Sequence, residues 1–193
     1  PPRELHPMFR NFVLPILRGI TPREASTDRR MFRIAGVGES LVEEAVGEQL
    51  LALPLELGYC ARLGEVDLRL VGESSVLDQA ERIVREKLGP AIFSTDGSNL
   101  ESAVVKLLTE RKQTLAVAES CTGGYIAHRI TNVPGASAIF LGGCVTYSNE
   151  AKTAMLGVDP ALIASDGAVS KKVAQAMAEG ARERTKSDFA LAT

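Results

Sequence analysis

The sequence predicts an α+β domain over residues 31–95, followed by a three-layer α/β/α domain over residues 96–193 that is incomplete at its C-terminus. In the first part the hydrophobic patterns follow the order strand, helix, strand, strand, helix, whereas strands and helices alternate in the second. Gly89-Pro90 and the polar run 94–97 lie between the two parts and indicate a domain boundary. Alternating strands and helices are typical of a sheet covered by helices on its faces.

Residues 1–30, which precede the α+β domain, are predicted to form an irregular linker. Prolines recur through this segment, and a proline interrupts a helical pattern because it lacks a backbone N–H donor. These prolines are Pro1, Pro2, Pro7, Pro15 and Pro22. We therefore expect regular structure to begin with the first strand of the α+β domain.

The two helices of the α+β domain are expected to start at capping boxes, in which a serine is followed three residues later by an acidic residue. Ser40 with Glu43 opens the first helix, and Ser75 with Asp78 opens the second. Two strand patterns lie between the helices, and the second alternates regularly between apolar and polar residues. The predicted strands are residues 31–37, 58–63 and 66–71.

A third capping box, Ser98 with Glu101, opens the α/β/α domain. From there the apolar spacing switches repeatedly between the period of a strand and that of a helix. The expected strands are residues 114–118, 143–147 and 189–192, and the expected helices are 123–131, 149–156 and a longer one from about residue 170.

The composition excludes several classes of protein. The chain has 193 residues, 45% of them apolar, and a net charge of −2 with both signs interspersed, so neither a disordered tail nor a polybasic nucleic-acid arm is expected. No stretch offers the roughly 18 apolar residues of a membrane span, and no signal segment opens the chain. Because Pro1 is not a methionine and Thr193 lies within a strand pattern, we expect a fragment of a longer protein. The absence of an export signal and the cysteine pattern favour a cytoplasmic location.

The cysteines and histidines do not form a pattern typical of a metal site or a disulfide framework. The three cysteines, Cys60, Cys121 and Cys144, lack CxxC spacing, which favours a reducing compartment. The two histidines, His6 and His128, lie far apart in the sequence without a ligand cluster around them. We therefore expect no protein-bound metal site and no disulfide framework.

The segment most informative about chemistry is the strand pattern at 115–119 and the residues that follow it. A buried strand runs directly into Ser120, Thr122, Gly123 and Gly124 at a predicted helix start. Ligands of open α/β sheets bind at the carboxyl ends of strands, and N–H groups at a helix start carry roughly half a positive charge. This arrangement suits a phosphate, a carboxylate or a forming oxyanion, although Ser120 or Thr122 could instead serve only to cap the helix.

A second polar segment follows the next predicted strand. Tyr147 and Lys152 lie between that strand and the helix after it, so both could approach Ser120 from a neighbouring strand end. A serine hydroxyl needs a base to remove its proton, and a lysine amine can act as that base in a partly closed pocket.

These two segments, AESCTGG and F-x-GG-x-VTYSNEAK, resemble the C-terminal domain of the CinA family, the nicotinamide mononucleotide deamidases. The resemblance runs through residues 98–193. The upstream part resembles the KH-like middle domain of full-length CinA proteins, including its opening P-R-E-x-x-P-M-F. In those proteins a molybdopterin-binding-like domain precedes this region, and a glycine-rich segment follows the last strand of this chain and helps to complete the nucleotide site.

The resemblance implies a role for each matching residue. Ser120 is the expected nucleophile, Lys152 its base, and Tyr147 an orienting group or proton relay. Glu119 is expected to face the cationic pyridinium or to hold Lys152, and N–H groups at 122–124 are expected to bind the oxyanion. The residues expected to line the substrate pocket are Glu119, Thr122, Gly123, Gly124 and Asn149.

The implied reaction is hydrolysis of the carboxamide of nicotinamide mononucleotide to nicotinate mononucleotide and ammonia, without a cofactor or metal. We expect a homodimer that acts on this small molecule, with no membrane partner. The alternative is a non-catalytic nucleotide-binding protein, or an interaction protein related to competence or DNA damage, in which a truncated pocket is inactive.

Two other residues compete for a catalytic role. Cys121 adjoins Ser120 and is an alternative nucleophile, because a helix N-terminus favours the thiolate. His128 lies eight residues beyond Ser120 in a predicted helix, which places it about 12 Å away and too far for a Ser–His pair. We interpret His128 as a residue of the helix surface.

The α+β domain raises the question of nucleic-acid binding. KH domains bind single strands through a GxxG loop on a basic surface. Here the sequence Gly36-Val37-Gly38-Glu39 places an acidic residue beside that loop, and Arg29, Arg30 and Arg33 form the one basic cluster nearby. We therefore interpret this domain as a spacer or dimerisation module and do not expect it to bind nucleic acid.

Overall fold

The computed structural model describes residues 2–20 and 27–193. They form two compact units, and the division between the units falls between Gly97 and Ser98. The first unit is α+β and the second contains a parallel sheet flanked by helices, which confirms the predicted fold class. No helix in these described ranges is long and apolar enough to cross a membrane.

The N-terminal segment is helical, so the prediction of an irregular linker over residues 1–30 is wrong for residues 2–20. Helix α1 (Pro2–Met8), a π-helical turn (Phe9–Val13) and helix α2 (Leu14–Ile20) follow one another without a break. Pro7 in α1 and Pro15 in α2 are tolerated because the proline ring fixes φ near a helical value, and each proline removes only one backbone N–H donor. Residue 1 and residues 21–26 of the predicted linker lie outside the described residues.

The first unit is a four-stranded antiparallel sheet with two helices. Its elements are β1 (Asp28–Ala35), α3 (Glu39–Leu51), β2 (Glu56–Arg62), β3 (Glu65–Gly72), α4 (Ser74–Leu88) and β4 (Ile92–Ser94). The strand order is β2-β3-β1-β4. The sequence did not predict β4, because three residues are too few to show an alternating pattern.

The helices of the first unit start at other residues than the capping boxes predicted. Ser40 and Ser75 are each the second residue of α3 and α4, and neither caps its helix. In the second unit the N-cap of the first helix is Asn99 rather than Ser98. Asparagine and serine are about equally good N-caps, so a serine–glutamate spacing alone could not decide between the two neighbours.

Carboxylates neutralise two of the three arginines in the predicted basic cluster. Arg33 is buried, and its guanidinium lies 3.2 Å from Glu65 and 3.0 Å from Asp67. Arg30 forms ion pairs with Asp78 and Glu81 on α4. Arg33 thus links β1 to β3 and Arg30 links β1 to α4, and these ion pairs reduce the positive charge that this surface offers to a phosphate backbone.

The second unit alternates helices and strands around a three-stranded parallel sheet of order β6-β5-β7. Its elements are α5 (Leu100–Arg111), β5 (Leu115–Glu119), α6 (Tyr125–Thr131), β6 (Phe140–Val145), α7 (Asn149–Leu156), α8 (Pro160–Asp166), α9 (Lys171–Thr185) and β7 (Phe189–Ala192). The sequence analysis missed α8, although Asp159 at its N-cap and Pro160 at its first position are a recognisable helix start.

The central strand β5 packs against a different apolar cluster on each face. Ala116 and Ala118 pack with residues of α7 and α9, whereas Leu115 and Val117 pack with residues of α5 and α6. This division follows from the alternation of side chains along a strand. Residues at the carboxyl end of β5 are therefore directed alternately toward these two pairs of helices.

Helices α7 and α9 approach each other closely at a glycine. A Cβ atom added to Gly180 of α9 would lie 1.9 Å from the carbonyl oxygen of Leu156, the last residue of α7. Only a residue without a side chain permits this distance, so Gly180 sets the spacing between the two helices.

Candidate functional site

Ser120 and Lys152 meet at the carboxyl end of the parallel sheet. Ser120 directly follows β5, and Lys152 projects from α7, which follows β6. The Lys152 Nζ atom lies 3.1 Å from Ser120 Oγ. Lys152 is 2% exposed, so this contact is made in a nearly closed environment.

Two backbone carbonyl groups orient the Lys152 amine. Nζ donates to the carbonyl oxygen of Thr146 at 2.8 Å and to that of Tyr147 at 3.4 Å. A neutral amine has two N–H donors and one lone pair. In the structure Nζ also donates to Ser120 Oγ. In the neutral amine, with both carbonyls still accepting an N–H, the lone pair would face the Ser120 hydroxyl, which is the arrangement that a general base requires.

Glu119 occupies neither of the two positions predicted for it. Its side chain is 1% exposed and accepts backbone hydrogen bonds from Ala127 at 2.8 Å, Gly124 at 3.0 Å and Ile126 at 3.1 Å. Since neighbouring residues of a strand face opposite ways, Glu119 points toward α6 while Ser120 points toward α7. The carboxylate therefore caps α6 from inside the protein.

The pKa of Glu119 reflects this capping role. Burial raises the pKa, but hydrogen bonds from the start of α6 and from Thr122 outweigh burial, and the pKa lies below the usual glutamate value. The ionised carboxylate thus stabilises the folded state. That stabilisation is complete above the unfolded-state pKa of about 4.3 and disappears as the pH falls through the lower pKa of the folded state.

We expect Glu119→Gln to lower the free energy of unfolding by about 2 kcal/mol at pH 7, because the amide has one acceptor oxygen and brings an NH₂ group toward backbone donors. Urea unfolding of the wild type and of Glu119→Gln at pH 7 and pH 3 measures this difference in the free energy of unfolding. The difference between wild type and variant should shrink at pH 3, because the unfolded-state carboxyl, with a pKa of about 4.3, is protonated there and the advantage of the ionised cap in the folded state is correspondingly reduced. An equal difference at both pH values would contradict the ionised cap.

The amide groups expected to bind an oxyanion are partly engaged within the protein. The Gly124 N–H donates to Glu119, and the Gly123 N–H donates to the Ser120 carbonyl at 3.1 Å. Within residues 2–20 and 27–193, the N–H groups of Cys121 and Thr122 have no acceptor. These two amides, which directly follow Ser120, are therefore the donors still available to a ligand.

A cavity of about 310 Å³ opens beside Ser120 in the second unit. It lies between the turn after β5 and the start of α9, and most of its wall is apolar. Its lining residues are Ser120, Cys121, Ala168, Val169, Ser170, Lys171, Ala174, Met177 and Thr193. This volume lies at the lower end of the range for small-molecule sites.

Several residues predicted to line the pocket lie elsewhere. Thr122, Gly123 and Gly124 are not among the lining residues, and the Thr122 hydroxyl lies 2.6 Å from that of Thr193. Asn149 lines a separate cavity of about 510 Å³ between α7 and α8. Ser120 lines only the smaller of these two cavities, so the larger volume does not make the second cavity the better candidate site.

Tyr147 contacts Lys152 through its main chain rather than its side chain. Its carbonyl oxygen accepts from Nζ, whereas its side chain is 78% exposed. An orienting role for Tyr147 is thus compatible with the geometry, while the phenol makes no hydrogen bond to Ser120 or Lys152 in the structure.

Lys171 and Ser170 are residues of the cavity that the sequence analysis missed. They belong to the loop and helix start after α8, and Ser170 caps α9 by accepting from the Val173 N–H at 3.3 Å. The helix start was predicted near residue 170, but its position beside Ser120 depends on α8 and on packing across the sheet. Local spacing carries no information on that packing.

The competing residues are placed differently from Ser120. Cys121 is exposed and lines the cavity, but no base contacts its thiol in the part of the chain that the structure covers. His128 is exposed on α6 and contacts Asn132 at 3.0 Å. Among residues 2–20 and 27–193, no three His, Cys, Asp or Glu side chains are grouped as metal ligands.

Comparison with known proteins gives two matches that together span most of the chain. Residues 97–193 match the CinA C-terminal domain, and residues 29–94 match the damage-inducible protein CinA KH domain. The chain belongs to the CinA family. The C-terminal match contains the whole Ser120–Lys152 site described above.

Relatives of this CinA chain include proteins from two named bacteria. A Moorella thermoacetica protein named competence-damage inducible protein is 48% identical over 99% of this chain and 48% of the relative. A CinA-like protein of Akkermansia muciniphila is 47% identical over 100% of this chain and 46% of the relative. The chain thus spans about half the length of the curated relatives that it matches.

A solved structure also matches this CinA chain in part. The crystal structure of competence/damage inducible protein CihA from Agrobacterium tumefaciens shares 40% sequence identity with it. That match covers 53% of this chain and 62% of the solved one, with a TM-score of 0.48.

Proposed function

We propose that this CinA chain hydrolyses the carboxamide of nicotinamide mononucleotide, producing nicotinate mononucleotide and ammonia. The observation that carries the proposal is the 3.1 Å contact between Ser120 Oγ and Lys152 Nζ beside a cavity of ligand size. A serine paired with a buried amine suits acyl transfer, and the motif resemblance of the site supplies the substrate class.

In the first half of the reaction Ser120 attacks the carboxamide carbon while the Lys152 lone pair takes the hydroxyl proton. The C–O bond forms, and the carbonyl electrons move onto the oxygen of a tetrahedral intermediate. We assign the N–H groups of Cys121 and Thr122, which have no acceptor among the described residues, to that oxyanion. Lys152 then returns its proton to the amide nitrogen, the C–N bond breaks, and ammonia leaves.

In the second half water hydrolyses the Ser120 ester. Lys152 accepts a proton from the water, which attacks the acyl carbon, and the proton is returned to Ser120 Oγ as the ester bond breaks. The products are a carboxylate and the regenerated serine. The net reaction consumes one water per amide.

The walls of the cavity suit a ligand that is apolar at one side and anionic at one end. Ala168, Val169, Ala174 and Met177 offer an apolar surface to a pyridine ring. Lys171 is the charged residue among the lining residues, and we assign it to the 5′-phosphate of the substrate. The reacting carboxamide would then lie at the Ser120 end.

The test of the proposed function is an assay of ammonia release from nicotinamide mononucleotide by the purified chain, with and without EDTA. We expect ammonia and nicotinate mononucleotide in equal amounts, and no effect of EDTA, because Ser120 and Lys152 perform every proton transfer without a metal. Saturable nucleotide binding without turnover would overturn the proposal and favour the non-catalytic alternative.

We expect Lys171→Ala to raise KM for nicotinamide mononucleotide about tenfold with little change in kcat, because it removes a charged phosphate contact remote from the reacting amide. Lys172→Ala is the matched control, since Lys172 is paired with Asp166 at 2.6 Å and does not line the cavity. Steady-state kinetics of both variants checks the assignment. An equal effect of the two substitutions would contradict it.

A further inference from the structure

Thr146 has a buried hydroxyl group that the proposed mechanism does not use. The residue is 0% exposed, and its Oγ1 atom has no hydrogen-bond partner within the described ranges. A buried hydroxyl without a partner destabilises a protein by about 1–3 kcal/mol. Such a group is uncommon in native proteins and calls for an explanation.

Thr146 is the lateral neighbour of Ser120 in the sheet. Glu119 pairs with Val145 in the parallel register, and the Thr146 N–H continues the ladder by donating to the Glu119 carbonyl at 2.8 Å. Ser120 and Thr146 are thus the next residues of adjacent strands. Neighbouring strands lie about 4.8 Å apart, so the two residues lie close together.

The alternation of side chains places Thr146 and Ser120 on the same face. Val145 lies toward α6, because a Cβ added at Gly124 would contact its Cγ2 atom at 3.3 Å. Thr146, one residue later, is directed to the opposite face, where Lys152 of α7 contacts both its carbonyl oxygen and Ser120 Oγ. Its hydroxyl is therefore buried next to the reacting pair.

We propose that Thr146 is a positioning residue, whose hydroxyl donates a hydrogen bond to Ser120 Oγ as Lys152 removes the serine proton. Cross-strand hydroxyl pairs of this kind occur between neighbouring strands. The serine oxygen becomes a stronger acceptor as negative charge develops on it, so the bond forms during the reaction. The inference rests on the proposed nucleophilic role of Ser120 and extends it to a third residue.

The variants Thr146→Val and Thr146→Ser separate a functional hydroxyl from a structural one. Valine keeps the shape and removes the hydroxyl, so Tm should stay unchanged or rise because an unpaired buried polar group is lost. The rate should nevertheless fall. Serine retains the hydroxyl and should stay within about threefold of the wild-type rate. If the Thr146 hydroxyl has no role in the reaction, Thr146→Val should react at the wild-type rate and should not differ from Thr146→Ser.

The first measurement is the rate at which a fluorophosphonate probe labels Ser120, followed by intact mass. It reports serine reactivity whatever the natural substrate is, so failure of the nucleotide reaction leaves this inference testable. We expect labelling of Thr146→Val to be about 10- to 100-fold slower than wild type, as for the loss of a hydrogen bond to a charged atom. In the ammonia assay, kcat should fall by a similar factor with KM unchanged.

Thr185→Val is the matched control, because the Thr185 hydroxyl is bonded to Ala181 at 2.8 Å and to Ser187 at 3.0 Å and lies outside the cavity lining. It should lower Tm and leave the labelling rate unchanged. Wild-type labelling by Thr146→Val, or failure of Thr146→Ser to rescue it, would overturn the proposal. Should the valine variant not fold, Thr146→Ala provides the same comparison.

Discussion

Ser120→Ala is expected to reduce ammonia release from nicotinamide mononucleotide by at least about 10³-fold, because it removes the atom that forms the acyl intermediate. The fold should be retained, since a hydroxyl at the rim of a cavity contributes little packing. Ammonia release and thermal unfolding of the same preparation check both statements. Turnover within tenfold of wild type would exclude Ser120 as the nucleophile.

Two further substitutions sharpen this test. Cys121→Ala changes the neighbouring thiol without altering the backbone N–H assigned to the oxyanion, so most of the activity should remain. Lys152→Met keeps the length of the side chain but removes the amine, and its loss of activity should approach that of Ser120→Ala. Combining the two inactivating changes should cost little more than either alone, because the two residues act as one unit.

Gly180→Ala is expected to destabilise the second unit by about 3 kcal/mol, although alanine favours helices over glycine by about 1 kcal/mol. The added Cβ would lie 1.9 Å from the Leu156 carbonyl oxygen, so α7 and α9 must move apart. Since α7 carries Lys152, activity should fall as well. Circular dichroism should show a decrease in the Tm of the second unit of about 12–24 °C.

The sign of the change in stability on Gly180→Ala shows whether the steric contact with Leu156 or the higher helix propensity of alanine dominates. Glu179→Ala is the control at the preceding position of α9, where the side chain is exposed, and it should change stability by less than about 0.5 kcal/mol. A Tm for Gly180→Ala at or above the wild-type value would mean that the two helices adapt to a methyl group without cost.

Much of the second unit could be predicted because its chemistry lies at strand ends. Ser120 and Lys152 each follow a strand, and the carboxyl ends of neighbouring parallel strands converge in any open α/β sheet. A local pattern therefore sufficed to predict that Ser120 and Lys152 lie close together. The alternation of strand and helix patterns fixed the order of the elements in the same way.

The residues that escaped prediction depend on packing between distant segments. Lys171 reaches the cavity through α8, which went unrecognised, and β4 is defined by pairing with β1 rather than by its own pattern. The helix over residues 2–20 formed in spite of its prolines. The prediction for Glu119 differs from the structure for another reason. Its charge suggested a contact with the substrate cation or with Lys152, whereas its position on the strand directs it to the start of α6.

Because Glu119 and Ser120 point to opposite faces of the sheet, the register of β5 with its neighbouring strands determines which of the two side chains faces Lys152. A slip of β5 by one residue would exchange the two, leaving a carboxylate in the cavity and a hydroxyl beneath α6. Such a slip would disrupt both contacts, since the Lys152 amine would face the Glu119 carboxylate and α6 would lose its N-terminal cap. The hydrogen-bond ladders to β6 and β7 therefore determine that Ser120, the proposed nucleophile, and not Glu119 faces Lys152.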